Sequence, residues 1–300
     1  MKKYKILIIS DYEATKSMDD LYIAKSFKED GNVVEIVKIG YEPRKDEEFD
    51  IILKRYTWPE NIETDGYYEY KNNLLKNRIC KRKKVIGINI YGFQETKYKY
   101  LATFTREKMP NVIPTINRIE TIDYILRIHK TDKFIIRQIE DFVALYNKAL
   151  HVKKDQLRQY FSEGGYLIQE DLKYKSEVQF HFVGNKLMYA FEYTPSKYSK
   201  LVNSRLINIS PEDRKVAEKI AEISNLNYGL QRLDFIRLNN NELMLSEIRD
   251  TNFDMKLEKI NLNIREKVID EFKKNIYEFL ELDRDTQERL MYDERYYYSI

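Results

Sequence analysis

Short apolar runs alternate with helical stripes over the first ninety residues. Lys5-Ile6-Leu7-Ile8-Ile9-Ser10 is a continuous apolar run, the pattern of a strand covered on both faces. Asp19 and Asp20 precede Leu21, Ala24 and Phe27 at helical spacing, and this stripe ends near Gly31,. Val33–Val37 and Asp50–Leu53 read as two further strands. A second stripe through Leu74, Leu75 and Ile79 leads into Val85-Ile86-Gly87-Ile88. Strands alternating with helices predict an open parallel sheet with helices on its faces. We place this α/β domain at residues 1–95.

From Lys97 the pattern changes towards α+β. Pro110 and Pro114 break the chain, and Ile122, Ile125, Leu126 and His129 form one stripe of a short helix. Lys133–Gln138 and Tyr166–Glu170 are strand-like, and Leu157, Tyr160 and Phe161 suggest a helix between them. These make a small central lobe, residues 96–172. In the remaining lobe, residues 173–300, Glu177–Val183 and Lys186–Tyr193 flank Gly184-Asn185, a dipeptide that favours a type II′ hairpin turn,. Ser210-Pro211-Glu212-Asp213 is a helix start, with a capping hydroxyl, proline in the first turn and acids beside it. A second hairpin spans Tyr228–Ile248. Ile264, Val268, Phe272, Ile276 and Phe279 define a long closing helix.

The second hairpin carries the clearest chemistry. With Asn240-Asn241 as a two-residue loop, Leu238 faces Leu243, Ile236 faces Leu245, Asp234 faces Glu247 and Arg232 faces Arg249, all on one side of the sheet,. Like charges directly opposite one another need compensation. Two readings supply it. The arginines neutralise the acids in a purely local cluster, or Asp234 and Glu247 hold a divalent cation while an arginine meets phosphate oxygens. Magnesium suits the second, since it takes one or two carboxylates plus substrate phosphates. The strand Tyr166–Glu170 runs into the linker Asp171-Leu172, where backbone donors and acceptors could read a purine edge; an ordinary connection between lobes fits that segment equally well.

Composition narrows the classes. The 300 residues are 43% apolar, and 52 basic against 49 acidic residues leave a charge of +3. That excludes disorder and gives no footprint for nucleic acid or an anionic membrane. No apolar run reaches the ~18 residues of a membrane span, and Met1-Lys2-Lys3 leads directly into a strand-like run rather than a secretory segment. The lone Cys80 can form no internal disulfide, which fits the cytoplasm,. His151 and His181 lack zinc-ligand neighbours in sequence, His129 reads as packing, and the bases from Lys76 to Lys84 read as a solvated helix end. Nothing in the sequence opposes a homodimer.

The order of these parts resembles the ATP-grasp fold, the superfamily of glutathione synthetase, D-alanine–D-alanine ligase, biotin carboxylase and ribosomal-protein glutamate ligases. The resemblance covers nearly the whole chain. Gln169-Glu170-Asp171-Leu172 is similar to the adenine-holding hinge. Leu233-Asp234-Phe235-Ile236 and Leu245-Ser246-Glu247-Ile248 are similar to the metal-binding aspartate strand and the Glu-x-Asn strand. Glu177-Val178-Gln179 resembles the Glu-x-Gln of the biotin carboxylase branch. Three departures stand out. Arg249 occupies the asparagine position, with Asp250 or Asn252 as substitutes for its oxygen. Arg137 stands where the family has a phosphate-contacting lysine, a change that keeps the charge. The segment Glu140–Asn147, at the phosphate-covering loop, contains no glycine,.

The resemblance implies a carboxylate–amine ligase using ATP and magnesium through an acyl phosphate. Asp234 and Glu247 would be metal ligands. Arg137, Arg232 and Arg249 would handle the phosphoryl group, with Lys99 (or Lys97), Arg137, Gln169, Glu170, Asp171, Leu172 and Glu177 around the nucleotide. The expected partners are small-molecule or peptide carboxylates and amines, with no nucleic acid and no membrane. Segments Asp11–Met18, Arg55–Trp58 and Tyr193–Arg205 would read the substrate, the last bringing Lys197, Lys200 and Arg205 beside the metal pair, and their mixture of acids, bases and aromatics suits an amino acid or peptide,. A non-catalytic relative that binds nucleotide or a protein partner is the alternative, motivated by the glycine-free segment and by Arg249.

Overall fold

The computed structural model describes residues 2–10, 18–38, 49–55, 84–86, 99–116, 132–138, 150–157, 159, 166–194, 203–224, 227–249 and 253–287. The expected helix through Leu74 and Ile79, the helix through Ile122 and His129, most of the helix at Leu157–Phe161 and the segment Glu140–Asn147 lie outside these residues. Strands β1 (Lys5–Ser10), β2 (Val33–Lys38), β3 (Ile51–Lys54) and β4 (Lys84–Ile86) form an open, wholly parallel sheet in the order β2-β1-β3-β4. The run from Ile6 to Ile9 is buried throughout, as its unbroken apolarity requires,. Helix α1 (Met18–Glu29) connects β1 to β2 and turns its Ile23, Ala24 and Phe27 inward.

Two antiparallel sheets follow. The smaller contains β5 (Thr115–Ile116), β6 (Lys133–Gln138), β7 (Leu150–Lys153) and β8 (Tyr166–Glu170) in the order β5-β8-β6-β7, preceded by helix α2 (Lys99–Arg106). The larger contains β9 (Tyr174–Val183), β10 (Lys186–Thr194), β11 (Asn203–Ile207), β12 (Leu230–Leu238) and β13 (Leu243–Arg249) in the order β11-β10-β9-β12-β13. Helix α3 (Pro211–Ser224) starts where the cap signal placed it, with Ser210 Oγ accepting from the Asp213 N–H at 3.1 Å. Helix α4 (Leu262–Glu281) follows, capped by Asn261. No helix among the described residues is long and apolar enough to cross a membrane.

The five-stranded sheet has a core on each side. Phe180, Phe182, Leu233, Phe235, Leu243 and Leu245 pack with α2 and α3 on one side. On the other, Val183, Tyr189, Phe191 and Leu230 share one apolar cluster with β1, β3, α1, the segment Phe253–Ile260 and α4. The first and last parts of the chain are thus packed together. Tyr4 stacks on Tyr277 at 5.9 Å, Phe27 meets Phe272 edge-on, and Lys273 and Tyr277 reach Asp30. Burial and a bond to Glu281 push the Tyr4 hydroxyl up to about 12.

This second core also encloses charge. Asp19, Asp20 and Arg55 are 2%, 0% and 4% exposed. Arg55 Nε donates to Asp20 at 2.8 Å, Ser10 Oγ donates to the other Asp20 oxygen, and Arg55 also donates to the Phe253 carbonyl at 3.0 Å. Asp19 accepts the N–H groups of Met255 (2.7 Å) and Leu257 (2.9 Å). Burial raises Asp19 to about 6, against the opposing pull of Arg55 and those two N–H groups,. The acids that read as an ordinary helix start are therefore a clamp. They tie the carboxyl ends of β1 and β3 to the segment after β13.

Removing one partner of a buried ionic group strands the others. Arg55→Ala should cost about 3–5 kcal/mol of stability, measured by urea unfolding; a loss below about 1 kcal/mol would show that the clamp is not structural. Gly184 makes the II′ turn with φ of 52°, and a Cβ there would meet the Asn227 carbonyl at 2.5 Å. Gly184→Ala should therefore destabilise the hairpin by more than about 1 kcal/mol in the same assay.

Candidate functional site

The site is built on rows running across the five-stranded sheet. In one row Phe191 (β10), Gln179 (β9), Asp234 (β12) and Glu247 (β13) stand opposite one another; in the next stand Tyr189, His181, Arg232 and Arg249. Asp234 thus faces Glu247 and Arg232 faces Arg249, but not through the expected turn. Nearer the tip, Phe235 pairs with Leu245, Ile236 with Met244 and Arg237 with Leu243. The expected pairs Leu238–Leu243 and Ile236–Leu245 do not form. A bulge lies between the two registers, where the Ser246 hydroxyl donates to the Asp234 carbonyl at 2.8 Å. It absorbs one residue and restores the acidic pair. Leu243 and Leu245 accordingly join the opposite core with Leu233 and Phe235, rather than sharing the face of the charges.

Each acid has an arginine two residues away on its own strand. Arg232 forks onto Asp234 with two 2.7 Å bonds and lies over the Phe253 ring at 5.4 Å. Arg249 Nε pairs with Glu247, its terminal nitrogen reaches the second Glu247 oxygen at 3.4 Å, and it passes Asp234 at 3.9 Å. Glu247 and Arg232 are buried at 8% and 6% exposure, whereas the Arg249 side chain is 34% exposed. The donor set fits magnesium: two carboxylates on adjacent strands supply oxygen, and phosphate oxygens would complete the shell.

Segment 253–257 lies over this face, held by the Asp19–Arg55 clamp and by Tyr189, whose hydroxyl donates to the Met255 carbonyl at 2.6 Å. Lys256 sits within it at φ of 56°, a left-handed conformation unusual for a long side chain,. Its ammonium reaches Tyr193 Oη and Gln179 Oε1, beside Asp234 in the sheet, and lies over the Tyr193 ring. Among the described residues no carboxylate comes within ion-pair distance of it. Burial and the nearby Lys259 lower it to about 8. Beneath, His181 is fully buried, stacked on Tyr189 at 4.4 Å, with neither ring nitrogen hydrogen-bonded. Burial, with Arg232 and Lys256 close by, holds it well below its usual range and therefore neutral. Sequence reasoning passed over Lys256, Asp19 and Asp20. Only tertiary contact distinguishes them from surface charges.

The other expected residues are distributed as follows. Gln169 is buried on β8 and donates to Thr115 Oγ1 at 3.1 Å. The N–H groups of Glu170 and Asp171 go to the carbonyls of Pro114 and Lys133, while Leu172 has no hydrogen-bond partner among the described residues. Asp171 also pairs with His151 at 2.9 Å. Arg137 lies on β6 opposite Leu167 of β8, in the same sheet as the hinge, and Lys99 opens α2. Glu177 is exposed on β9, two residues before Gln179 on the same face and opposite Ile236 of β12, and accepts from Tyr174. Arg205, expected beside the acids, pairs instead with Glu192 on the opposite face of the sheet. Asp250 and Asn252 fall outside the described residues. Asp19, Asp254 and Glu258 bring carboxylate oxygens within 4.8 Å of one another, but both Asp19 oxygens are already engaged by backbone N–H groups.

No protein-family model and no curated protein matches the sequence. Solved structures do match. The D-cycloserine synthetase DcsG is similar with a TM-score of 0.65 over 92% of this chain and 100% of its own, at 14% identity. The ATP-grasp ligase PsnB, complexed with a minimal precursor, Mg and ADP, gives 0.62 over 92% and 99%, at 9% identity. A Chryseobacterium gregarium RiPP-associated ATP-grasp ligase, in complex with ADP and a leader and core peptide, gives 0.63 over 92% and 97%, at 14% identity. Likeness at such identities is likeness of fold.

The lowered Lys256 carries a stability signature. Its folded value of about 8 lies below the ordinary lysine value of 10.5. Holding the ammonium therefore costs stability fully below pH 8, and the cost fades as pH rises towards 10.5. Lys256→Met should raise the thermal midpoint at pH 7 and leave it nearly unchanged at pH 10.5. An equal shift at both values would show that charge is not the cause.

Proposed function

We propose, on the ATP-grasp fold this chain carries, that it is an ATP- and magnesium-dependent carboxylate–amine ligase acting on an amino acid or peptide in the cytoplasm. The observation that carries the reading is the Asp234–Glu247 pair on adjacent strands with Arg232 forked beside it. Asp234 and Glu247 would hold magnesium, which when bound neutralises charge on phosphate oxygens. The N–H of Leu172, two residues past β8 and without a partner among the described residues, suits a purine ring nitrogen, and Gln169, Glu170 and Asp171 fix that backbone. Glu177 borders the same hairpin, and Lys99 and Arg137 are the remaining candidates for phosphate contact.

The substrate carboxylate oxygen takes the terminal phosphoryl group, the bond to the leaving ADP breaks, and a mixed anhydride forms. The amine nitrogen then attacks the acyl carbon, its proton departs, and orthophosphate leaves. Arg232 and Arg249 would face the position where negative charge develops, the buried Arg232 as a preorganised cation,. Peptide substrates gain support from two of the similar structures, one with a precursor and one with leader and core peptides. The pairing of Arg249 with Glu247 favours a second reading, a relative that binds nucleotide without turnover.

Calorimetry with ADP and magnesium tests the site. Wild type should bind, and Asp234→Asn and Glu247→Gln should each weaken binding by about tenfold or more. No binding, or unaltered binding in both variants, would end the proposal. ADP release screened over amino acids and short peptides separates the two readings. Turnover that Glu247→Gln abolishes requires the ligase, and silence across the screen with intact ADP binding favours the non-catalytic relative.

A further inference from the structure

Lys256 breaks several local rules at once. Its left-handed backbone, at φ of 56°, is imposed by three successive N–H groups that end on carboxylates,. Met255 and Leu257 donate to Asp19 at 2.7 and 2.9 Å, and Lys256 itself donates to Asp254 at 2.9 Å. From this fixed turn the side chain crosses the sheet face. The ammonium lies 4.3 Å from the centre of the Tyr193 ring and 5.8 Å from that of Phe191.

The surrounding charges do not account for that placement. Asp19 is engaged by two N–H groups and by Arg55, 3.8 Å away. Asp254 and Glu258 are exposed, and Asp254 already accepts the Lys256 N–H. Glu258 and Asp19 favour the ammonium from a distance, while burial and Lys259 oppose it and prevail. Its hydrogen-bond partners among the described residues are two neutral oxygens, Tyr193 Oη and Gln179 Oε1. An ammonium has three donors, so one is left over together with the charge. A half-buried cation on a strained backbone, served only by neutral oxygens, points to a ligand,.

Position narrows the ligand. Tyr193 stands opposite Glu177 and Gln179 opposite Asp234, so the ammonium lies between those two rows, ~7 Å apart along β9,. The Glu177 row is nearer the start of β9, two residues after Leu172 of the linker; the other row carries the acidic pair. We propose that Lys256 binds a phosphate of the nucleotide, its third donor and its charge going to a non-bridging oxygen between the linker end and the acidic pair. The proposal rests on the nucleotide-binding reading above and adds to it a phosphate ligand from the segment after β13, positioned by the Asp19–Arg55 clamp.

Calorimetry of the full chain with ADP and magnesium tests this. Lys256→Met should weaken binding by about tenfold or more, with folding checked by circular dichroism, and Lys256→Gln serves should the methionine variant not fold. Lys259→Gln removes an exposed charge three residues away and should change the affinity by no more than about twofold. At pH 8, repeated in buffers of different ionisation enthalpy, wild type should take up a fraction of a proton on binding ADP, because a phosphate favours the charged ammonium; the Lys256 variants should not. An affinity loss at Lys256 no larger than at Lys259 would overturn the proposal, and so would proton uptake that is absent from wild type or that survives in the variants. If ADP does not bind wild type, the nucleotide reading itself fails. If ADP binds wild type and the Lys256 variants alike, this inference alone fails.

Discussion

Two carboxylates and one guanidinium, buried at the start of α1 and the end of β3, govern the architecture of this chain. Asp19, Asp20 and Arg55 could not stay charged in an apolar interior singly. They remain there because each satisfies the others or a backbone group that would otherwise be orphaned,. The backbone groups they satisfy belong to Phe253, Met255 and Leu257, more than two hundred residues on from the helix. The left-handed turn at Lys256, the placement of its ammonium over the sheet and the Phe253 ring above Arg232 all follow from that attachment. The site is shaped as much by the parallel sheet at one end of the chain as by the antiparallel sheet that bears the acids.

Electrostatics at the acidic pair follows from alternation along two strands. Placing an arginine two residues from each acid keeps all four on one face, and pairing the strands puts like charges opposite one another. The result is a compact square in which every charge has an opposite neighbour along its strand and a like neighbour across it. Such a square balances its own charges, two guanidiniums against two carboxylates.

The parallel sheet was legible because its strands are covered on both faces, so Ile6–Ile9 and Ile51–Leu53 show unbroken apolarity. Gly184-Asn185 announced its hairpin through the backbone conformation it demands, and Ser210 announced a helix through its cap. The facing of Asp234 and Glu247 was also legible, though by a partly mistaken route. The turn is one residue out of the expected register, and the bulge at Ser246 returns it. Arg205 was misplaced because a single step along a strand reverses the face, and the sequence does not say which step β11 takes. Asp19 and Asp20 were read as ordinary helix-start acids, since the same residues serve a solvated first turn equally well. Their partner Arg55 lies beyond local patterning, and the positive φ of Lys256 has no glycine to mark it.

The shared core between β1, α1 and α4 bears on how the chain comes into being. The inward side of α1, with Phe27 and Ile23, is covered by Phe272, Ile276 and Tyr277 of α4. On a ribosome the parallel sheet and α1 emerge more than two hundred residues before α4, the surface that seals them. Until α4 follows, the inward side of α1 stays partly uncovered, and the nascent chain presents to chaperones the very face that the folded protein hides.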